Sequence, residues 1–578
     1  MSVLVEKNVA VPMRDGVVLR ADVYRPQAAG RHPVLLQRTP YNKELWPITA
    51  MTLDPVRAAA AGFAVMIQDV RARWASEGGV FFPYRDELAD GHDSVAWAAA
   101  QDWSSGMVGC YGLSYMGGTS WLAAASGHPA LKALSPTTAP CDFWHNHFWR
   151  GGALSIGLLA MWSMRAIGPS ALIRSRPQPA DLFPLLTQLV DDLDDFENVL
   201  RQLPLDRFAP TRPDDDRFVP FFYEMLKHAT PDAWTRSLLV AGRHDQVTAP
   251  SLSIAGWHDL LLAGDLQHFK SMREQAGSDV ARRHSRLVIG PWAHGMFHNV
   301  VGELDFGFRA NGLFLDMKED LTRLQLRWFD RWLKNDGAGD DEAPVKIFVQ
   351  GRNRWRDEQE WPPARARTTA WYLNGDHSFS RERATPAAGA AHHYMYDPND
   401  PCPTCGGAHL LPTQYTPGPV DQAPILGRRD VLAYTSPVLE QDLEVTGNVR
   451  AVLYAATSGR DTDFMLKLCD VHPDGRSCNV VDGVLRVSLR DGATRQLVTP
   501  GAQLRLEIDL WATSMVFKAG HRLRVLVTSS DFPRYDRNPN TGELAHEATR
   551  LEPALQQIFH GDDCASHLLL PEIGSAIS

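Results

Sequence analysis

A serine in a glycine-rich run is the residue with the clearest chemical potential in this chain. Ser114 follows the largely apolar run 107–111, which predicts a buried strand, and precedes the small-residue stretch 119–125, which predicts a helix. Gly112 and Gly117 flank it closely. This order favours a nucleophile elbow, in which a tight turn exposes a serine hydroxyl beside the N–H groups of a helix N-terminus. The spacing is Gly-x-Ser-x-x-Gly rather than Gly-x-Ser-x-Gly, and an ordinary glycine-rich turn is the plain alternative.

A serine hydroxyl is a poor nucleophile at neutral pH, so it needs a base and an acid that orients the base. Asp259 comes two residues after the predicted strand 251–257, and His294 comes two residues after the predicted strand 286–292. Polar residues just past parallel strands meet at one edge of an open sheet. The chain order serine, acid, histidine is that of α/β-hydrolases. We therefore predict a triad of Ser114, Asp259 and His294. The competing residues in the same region are His258, His284, His298, Asp245 and Asp265.

The elements that must position these residues divide the chain into four parts. Residues 1–143 alternate strand-like and helical segments, residues 144–239 read as helices joined by proline-rich turns, and the alternation returns over 240–348. Residues 349–578 read as short strands separated by Gly, Pro and Asp turns. We predict an α/β-hydrolase core (1–143 and 240–348), an inserted helical cap (144–239) and a C-terminal β-sandwich (349–578). We expect the sandwich to form one wall of the active-site cleft. We favour this role over sugar binding, because the sequence has no run of exposed aromatic residues that would form a sugar-binding surface.

Composition predicts a soluble enzyme of several domains. The 578 residues carry a formal net charge of −10 without a block of like charge, which does not suggest a nucleic-acid or anionic-membrane partner. No basic and apolar leader stands at the start, and no apolar run looks long enough to span a bilayer. Cytoplasmic residence is the expectation. The oligomeric state stays open, with a homodimer among the options.

Seven cysteines over this length do not predict a disulfide scaffold. Cys402 and Cys405, with His409 nearby, suggest zinc. A structural zinc site usually has four protein ligands, and the chain has no second Cys-x-x-Cys pair. We favour a tight loop or a labile disulfide over a metal site at these two cysteines. No metal and no organic cofactor is predicted for the reaction.

Ordered motifs along nearly the whole chain are similar to those of a known family. They are VPMRDGV at 11–17, DVR at 69–71, ASEG at 75–78, GCYGLSYMG at 109–117, GWHD at 256–259, GPWAH at 290–294, DTDF at 461–464 and SDFPR at 530–534. The chain resembles the cocaine-esterase-like serine hydrolases, which are related to X-Pro dipeptidyl-peptidases and α-amino-acid ester hydrolases. The resemblance implies that the β-sandwich is a jelly roll.

The resemblance also implies roles for individual residues. Ser114 matches the nucleophile, Asp259 the orienting acid and His294 the general base. The Tyr41 hydroxyl and the Tyr115 backbone N–H match the two donors of an oxyanion hole. A phenol suits this role because it is an uncharged donor at neutral pH.

For the substrate pocket, Trp162 matches a cap tryptophan that contacts an aromatic acyl group. Trp149 and Leu261, together with Trp144, are predicted to add apolar walls. The chain departs from the family at Ala72, where glycine is usual, and at His258, where tyrosine is usual.

Three functions follow as hypotheses. The favoured one is hydrolysis of a small-molecule carboxylic ester with an aromatic or bulky acyl group, through an acyl-enzyme. The alternative is an X-Pro dipeptidyl-peptidase, an amidase or an α-amino-acid ester hydrolase. A peptidase of this type needs carboxylates to anchor the free amino group of its substrate, and a cap run could supply them: Asp191, Asp192, Asp194 and Asp195. A non-catalytic protein is disfavoured, because every catalytic side chain is present.

Overall fold

A ten-stranded mixed sheet, formed by two separate parts of the chain, is the scaffold of the molecule. The computed structural model describes residues 2–574 except 177, 212–217, 335–341, 384–390, 493, 545 and 562. The first part of the core has strands β1 (Val3–Pro12), β2 (Val18–Pro26), β3 (His32–Thr39), β4 (Ala64–Asp69), β5 (Ser104–Leu113) and β6 (Leu131–Thr137), with helices α1 (Trp46–Thr49), α2 (Pro55–Ala60), α3 (Glu87–Ala99) and α4 (Tyr115–Ala125).

A mostly helical segment separates the two parts of the core. Its elements are β7 (Trp149–Arg150), β8 (Ala153–Leu154), α5 (Ile156–Met161), α6 (Gly168–Ser175), α7 (Pro179–Asp194), α8 (Phe196–Leu200), α9 (Pro220–Lys227) and α10 (Ala233–Leu238), with a π-helical turn at Trp162–Ile167. Its apolar side chains share one hydrophobic cluster with the core residues Tyr84 and Tyr115. The segment therefore packs over the elbow.

The core then resumes with elements that complete the sheet. They are β9 (Leu252–His258), α11 (Leu262–Gln275), α12 (Asp279–His284), β10 (Arg286–Ala293), β11 (Val300–Val301), β12 (Leu304–Asp305), α13 (Leu321–Lys334), β13 (Val345–Val349) and β14 (Arg354–Glu358). The sheet order is β1-β2-β4-β3-β5-β6-β9-β10-β13-β14, parallel from β4 to β13. Every residue of β4 and β10 is buried, as expected for parallel strands covered on both faces.

Two facing sheets make up the rest of the chain. Their elements are β15 (Arg367–Leu373), β16 (Phe379–Ser380), β17 (Ala391–Tyr396), α14 (Ala423–Leu426), β18 (Leu432–Thr435), β19 (Leu443–Thr457), β20 (Asp463–Val471), β21 (Ser477–Arg486), β22 (Leu504–Phe517), β23 (Arg522–Thr528), β24 (Ala554–Phe559) and β25 (His567–Ile573). A seven-stranded sheet around β19 and a four-stranded sheet, β18-β23-β20-β21, share one hydrophobic core. This is a β-sandwich, with all its paired strands antiparallel.

One expectation about apolar runs is wrong. The continuous helical stretch Ile156–Ser175 is long and apolar enough to cross a membrane by length and composition. However, 72% of its apolar window is buried within the protein. The stretch is apolar on most sides because cap and core residues surround it.

Candidate active site

The strand-to-helix turn at Ser114 has the strained backbone of a nucleophile elbow. Ser114 has φ 60° and ψ −122°, a conformation that non-glycine residues rarely adopt. Its N–H donates to the Thr137 carbonyl on the neighbouring strand at 2.9 Å, which holds the turn against the sheet. A Cβ on Gly112 would lie 2.4 Å from Met116 Cβ, and one on Gly117 would lie 2.8 Å from Ala139 Cβ. Only glycine fits these two positions.

Register brings the predicted base and acid together. Ala293, the last residue of β10, pairs with His258, the last residue of β9, so the residues that follow leave the sheet side by side. His294 Nδ1 lies 2.9 Å from Asp259 Oδ2, and His294 Nε2 lies 2.9 Å from Ser114 Oγ. The imidazole therefore spans the hydroxyl and the carboxylate.

The Asp259 carboxylate is fixed independently of the histidine. It is fully buried, and its Oδ1 accepts the Leu261 N–H at 2.8 Å. A buried carboxylate held in this way keeps the imidazole proton on Nδ1 and leaves Nε2 free to accept the serine proton. Of the competing residues, Asp245 and His298 are exposed, and Asp265 accepts the Ala139 N–H at 2.9 Å.

Tyr41 places a phenol beside the serine. Its hydroxyl accepts the indole N–H of Trp162 at 3.1 Å, and Tyr41 lines the same cavity as Ser114. Burial raises the pKa of Tyr41, and this effect outweighs the opposing effect of the nearby Trp162 and Ser114 side chains. The phenol therefore stays protonated at neutral pH and can donate.

The backbone of Tyr115 offers a second donor. Tyr115 is the first residue of α4, where N–H groups have no acceptor within the helix. Its own phenol is already used: it accepts the Tyr84 N–H at 3.0 Å and donates to Glu87 Oε1 at 2.8 Å. The ring is also stacked on Tyr84 with centroids 4.1 Å apart. These contacts fix the first turn of the helix.

A cavity of about 320 Å³ opens beside Ser114 and His294. Trp162 and Leu261, both predicted pocket residues, line it. Trp149 does not: it stacks on Trp144 with centroids 5.0 Å apart and lines a neighbouring cavity of about 360 Å³. The remaining lining is aromatic, imidazole or leucine, from Tyr41, Tyr84, Tyr115, His147, Phe148, Leu158, Leu260 and Leu410.

Six of the lining residues were not predicted from the sequence: Tyr84, His147, Phe148, Leu158, Leu260 and Leu410. Leu410 comes from the β-sandwich part of the chain, and no motif links it to the elbow. His147 carried no signal either, among 21 histidines. Burial lowers the pKa of His147 to about 3, so it is a neutral wall of the cavity rather than a charged one.

A buried arginine, also missed, ties the cap to the Tyr41 loop. Arg73 is fully buried and donates to the Pro40 carbonyl at 2.9 Å, next to Tyr41. The same guanidinium donates to the Ala166 and Ile167 carbonyls at 2.9 and 3.1 Å, in the π-helical turn that begins at Trp162. One side chain therefore links the loop that contains Tyr41 to the turn that begins at Trp162.

The position before Asp259 departs from the family pattern without adding charge. Burial lowers the pKa of His258 to about 4, and its Nε2 lies 2.8 Å from Gln350 Oε1. His258 is therefore neutral at pH 7. The other departure, Ala72, has φ 60°, where glycine would be unstrained.

The Cys402–Cys405 loop holds two free, buried thiols. Cys405 Sγ lies 3.3 Å from the Asp421 carbonyl. Among the described residues, these cysteines and His409 do not form a group with metal-ligand spacing. The labile disulfide that the sequence suggested is not formed.

Comparison with known proteins identifies the family of this chain. Residues 15–296 match the X-Pro dipeptidyl-peptidase (S15) family, and residues 336–569 match the X-Pro dipeptidyl-peptidase C-terminal non-catalytic domain. The chain is 37% identical to the cocaine esterase of Rhodococcus sp. (strain MB1 Bresler) over 98% of both chains. The chain belongs to the S15 family. The predicted family is therefore confirmed.

Two solved structures have the same fold over nearly their whole length. An aminopeptidase from a marine sediment archaeon, Thaumarchaeota archaeon, superposes with a TM-score of 0.82 at 25% identity, covering 99% of this chain and 96% of that one. An α-amino acid ester hydrolase superposes with a TM-score of 0.81 at 24% identity and the same coverage. The predicted α/β-hydrolase fold with a sheet-rich C-terminal domain is confirmed.

Proposed function

We propose that this protein is a serine carboxylesterase that uses Ser114, His294 and Asp259 as its catalytic triad. The observation that carries the proposal is the imidazole of His294, which lies 2.9 Å from both the Ser114 hydroxyl and the Asp259 carboxylate. The relatives support the same chemistry, because the family contains a cocaine esterase that matches 98% of this chain.

The reaction follows from the positions of these groups. Ser114 Oγ attacks the ester carbonyl carbon while His294 Nε2 takes the hydroxyl proton. The carbonyl oxygen becomes an oxyanion that accepts hydrogen bonds from the Tyr41 hydroxyl and the Tyr115 N–H. His294 then gives its proton to the alcohol oxygen as the carbon–oxygen bond breaks. Water, deprotonated by the same imidazole, releases the acid and restores Ser114.

The lining of the cavity supports an aromatic or bulky acyl group. Trp162 packs against Phe221 with ring centroids 5.2 Å apart and against Tyr115 at 5.9 Å, so it presents a fixed aromatic surface. Fixed aromatic walls favour flat apolar groups, because such groups bury more area without reorganising the pocket. We propose Trp162, Leu261 and Leu410 as contacts of the acyl group.

The peptidase alternative lacks an amine anchor in this cavity. No carboxylate is among the described residues that line it. The acidic cap run, Asp191 to Asp195, lies at the end of α7, where Asp191, Asp194 and Asp195 are exposed. A substrate ammonium group in the cavity beside Ser114 would therefore be buried without a charged partner, which would weaken binding.

The test compares bond types and acyl groups on one enzyme. We expect p-nitrophenyl benzoate to have a higher kcat/KM than both p-nitrophenyl acetate and Gly-Pro-p-nitroanilide. Ser114→Ala is the control for background hydrolysis and should be inactive while remaining folded. A higher kcat/KM for the anilide would replace the esterase proposal with the peptidase alternative.

Three finer assignments belong to the same proposal. We propose a jelly-roll topology for the β-sandwich, supported by its two antiparallel sheets around one core. We propose cytoplasmic residence, since six of the seven free cysteines are buried thiols that suit a reducing compartment. A homodimer is a further hypothesis, which the sedimentation coefficient would test.

A further inference from the structure

A second cavity, of about 730 Å³, lies on the side of the β-sandwich that meets the core. It has more than twice the volume of the cavity beside Ser114, and no described residue lines both. Leu304 and Asp305 from the β11–β12 hairpin line it, as does Met515 of β22. The proposed ester hydrolysis makes no use of this space.

Three side chains in its wall have the character of metal ligands. Asp470, His472 and His521 each line the cavity, and one ligand atom from each lies within 4.8 Å of the other two. His521 Nδ1 lies 2.9 Å from Asp470 Oδ1 and 3.0 Å from its Oδ2. His472 Nε2 lies 3.5 Å from Asp470 Oδ2.

These spacings fit ligands of a single ion. Ligand atoms about 2.1 Å from one metal stand about 3.0 to 3.4 Å apart at octahedral and tetrahedral angles. Two imidazoles and one carboxylate form a ligand set that suits zinc and similar divalent ions. Both contacts of Asp470 are close to these spacings, and the two imidazoles have ligand atoms within 4.8 Å of each other, so side-chain shifts can close the cluster around an ion.

Two turns hold the histidines in place. His472 begins the turn between β20 and β21, where its N–H donates to the Arg476 carbonyl at 2.8 Å. His521 ends the turn between β22 and β23, where its N–H donates to the Lys518 carbonyl at 3.0 Å. Strand pairing of Asp470 with Leu523 fixes how these two turns lie beside each other. Backbone hydrogen bonds and strand pairing therefore fix where the three ligand residues lie.

The alternative to a metal site is that Asp470 and His521 only form a hydrogen bond between two hairpins. One atom, His472 Nε2, argues against this alternative. His472 Nε2 is buried and makes no hydrogen bond among the described residues, although Asp470 Oδ2 lies 3.5 Å away. A buried ring nitrogen without a partner is costly, and a bound ion would satisfy it.

The surrounding charges favour a cation. Lys518 also lines the cavity, but its ammonium is paired with Asp442 at 2.9 Å. Arg476 is likewise paired with Asp474 at 2.9 Å. Asp305 adds a further carboxylate to the cavity wall. Nothing in this set opposes a divalent ion next to Asp470.

We infer that Asp470, His472 and His521 form a divalent-metal site of zinc type in the wall of this cavity. Its protein ligands are Asp470 Oδ2, His472 Nε2 and His521 Nδ1. Three protein ligands leave at least one coordination position for water or for a small ligand that enters the cavity.

Direct metal binding tests the inference. The full chain is freed of metal with a chelator and titrated with Zn²⁺ by calorimetry. We expect one site whose affinity for Zn²⁺ falls by at least about tenfold in His472→Ala and in His521→Ala. Loss of a residue that only hydrogen-bonds to a metal ligand already lowers metal affinity by about 10- to 100-fold. His393→Ala, which removes an exposed histidine of the same sandwich, is the matched control and should bind as the wild type does.

A stability measurement covers the case in which one variant folds poorly. Zn²⁺ should raise the unfolding temperature of the wild type and of His393→Ala, because it binds the folded state preferentially. It should not raise that of either ligand variant. Absence of binding to the wild type, or equal affinity and stoichiometry in the wild type and both ligand variants, would overturn the inference.

Discussion

Replacing Tyr41 by phenylalanine isolates one proposed catalytic interaction. The change deletes the hydroxyl that lies in the cavity beside Ser114 and accepts the Trp162 N–H at 3.1 Å, while the ring stays in place. Loss of one oxyanion donor typically removes about 2.7 to 4 kcal/mol of transition-state stabilisation, or about 100- to 1,000-fold in kcat. We expect a loss of this size in kcat and little change in KM, because the oxyanion forms only in the transition state.

The same change has a separate cost in folding. The Trp162 indole N–H loses its acceptor, and a buried donor without a partner costs about 1 to 3 kcal/mol. The free energy of unfolding, measured with urea, should fall by that amount and should be reported beside kcat. Tyr454→Phe, in the β-sandwich, is the matched control and should leave kcat unchanged. If kcat of Tyr41→Phe falls less than about tenfold, Tyr41 only packs, and the oxyanion assignment is wrong.

Three further substitutions test the geometry. Asp259→Asn should lower kcat by about 10⁴-fold at unchanged stability, because an amide favours the wrong imidazole tautomer of His294. Gly112→Ala should sharply lower the melting temperature and the activity, since φ is +155° and the new Cβ would lie 2.4 Å from Met116 Cβ. Asp482→Asn should cost about 3 to 5 kcal/mol in unfolding free energy, because it leaves two buried arginines, Arg150 and Arg534, without their shared carboxylate.

The Asp482 prediction includes a pH dependence with a definite sign. Burial alone would raise the pKa of Asp482, but Arg534 and Arg150 hold it well below the usual value of 3.8. Its contribution to stability is therefore present above pH 3.8 and is lost as pH falls below that value. Wild type and Asp482→Asn should converge in unfolding free energy on acidification. A constant difference would contradict this account.

Outcomes that contradict the other two substitutions are equally definite. Asp259→Asn with near-normal kcat would mean that another group orients His294. Gly112→Ala with normal activity and melting temperature would mean that the elbow can relax around a methyl group.

The proximity of Ser114, Asp259 and His294 could be predicted from the sequence because all three follow the ends of nearby strands in one sheet. Asp259 and His294 each follow a fully buried strand, and parallel pairing of β9 with β10 then determines their proximity. The elbow could be predicted as well, because the sequence has glycines at the two positions, Gly112 and Gly117, where close packing excludes a side chain. Such features depend on local pattern plus one topological rule, so they can be predicted without coordinates.

Features that depend on packing between distant segments could not be predicted. Leu410 reaches the cavity from the sandwich, and Trp149 packs against Trp144 instead of lining that cavity. The sequence does not show a continuous apolar run of bilayer length at Ile156–Ser175, because Arg165 interrupts it; the structure joins this stretch into one helix through a π-helical turn. Periodicity does not reveal which buried surface a helix will meet.

Covalent labelling locates the nucleophile most directly. The protein is incubated with a fluorophosphonate, which reacts with an activated serine hydroxyl, and the modified peptide is identified by mass spectrometry. The hydrogen-bonded arrangement of Ser114, His294 and Asp259 predicts a single adduct on Ser114, absent from Ser114→Ala and strongly slowed in His294→Ala. An adduct on a different residue, or equal labelling of wild type and Ser114→Ala, would contradict it.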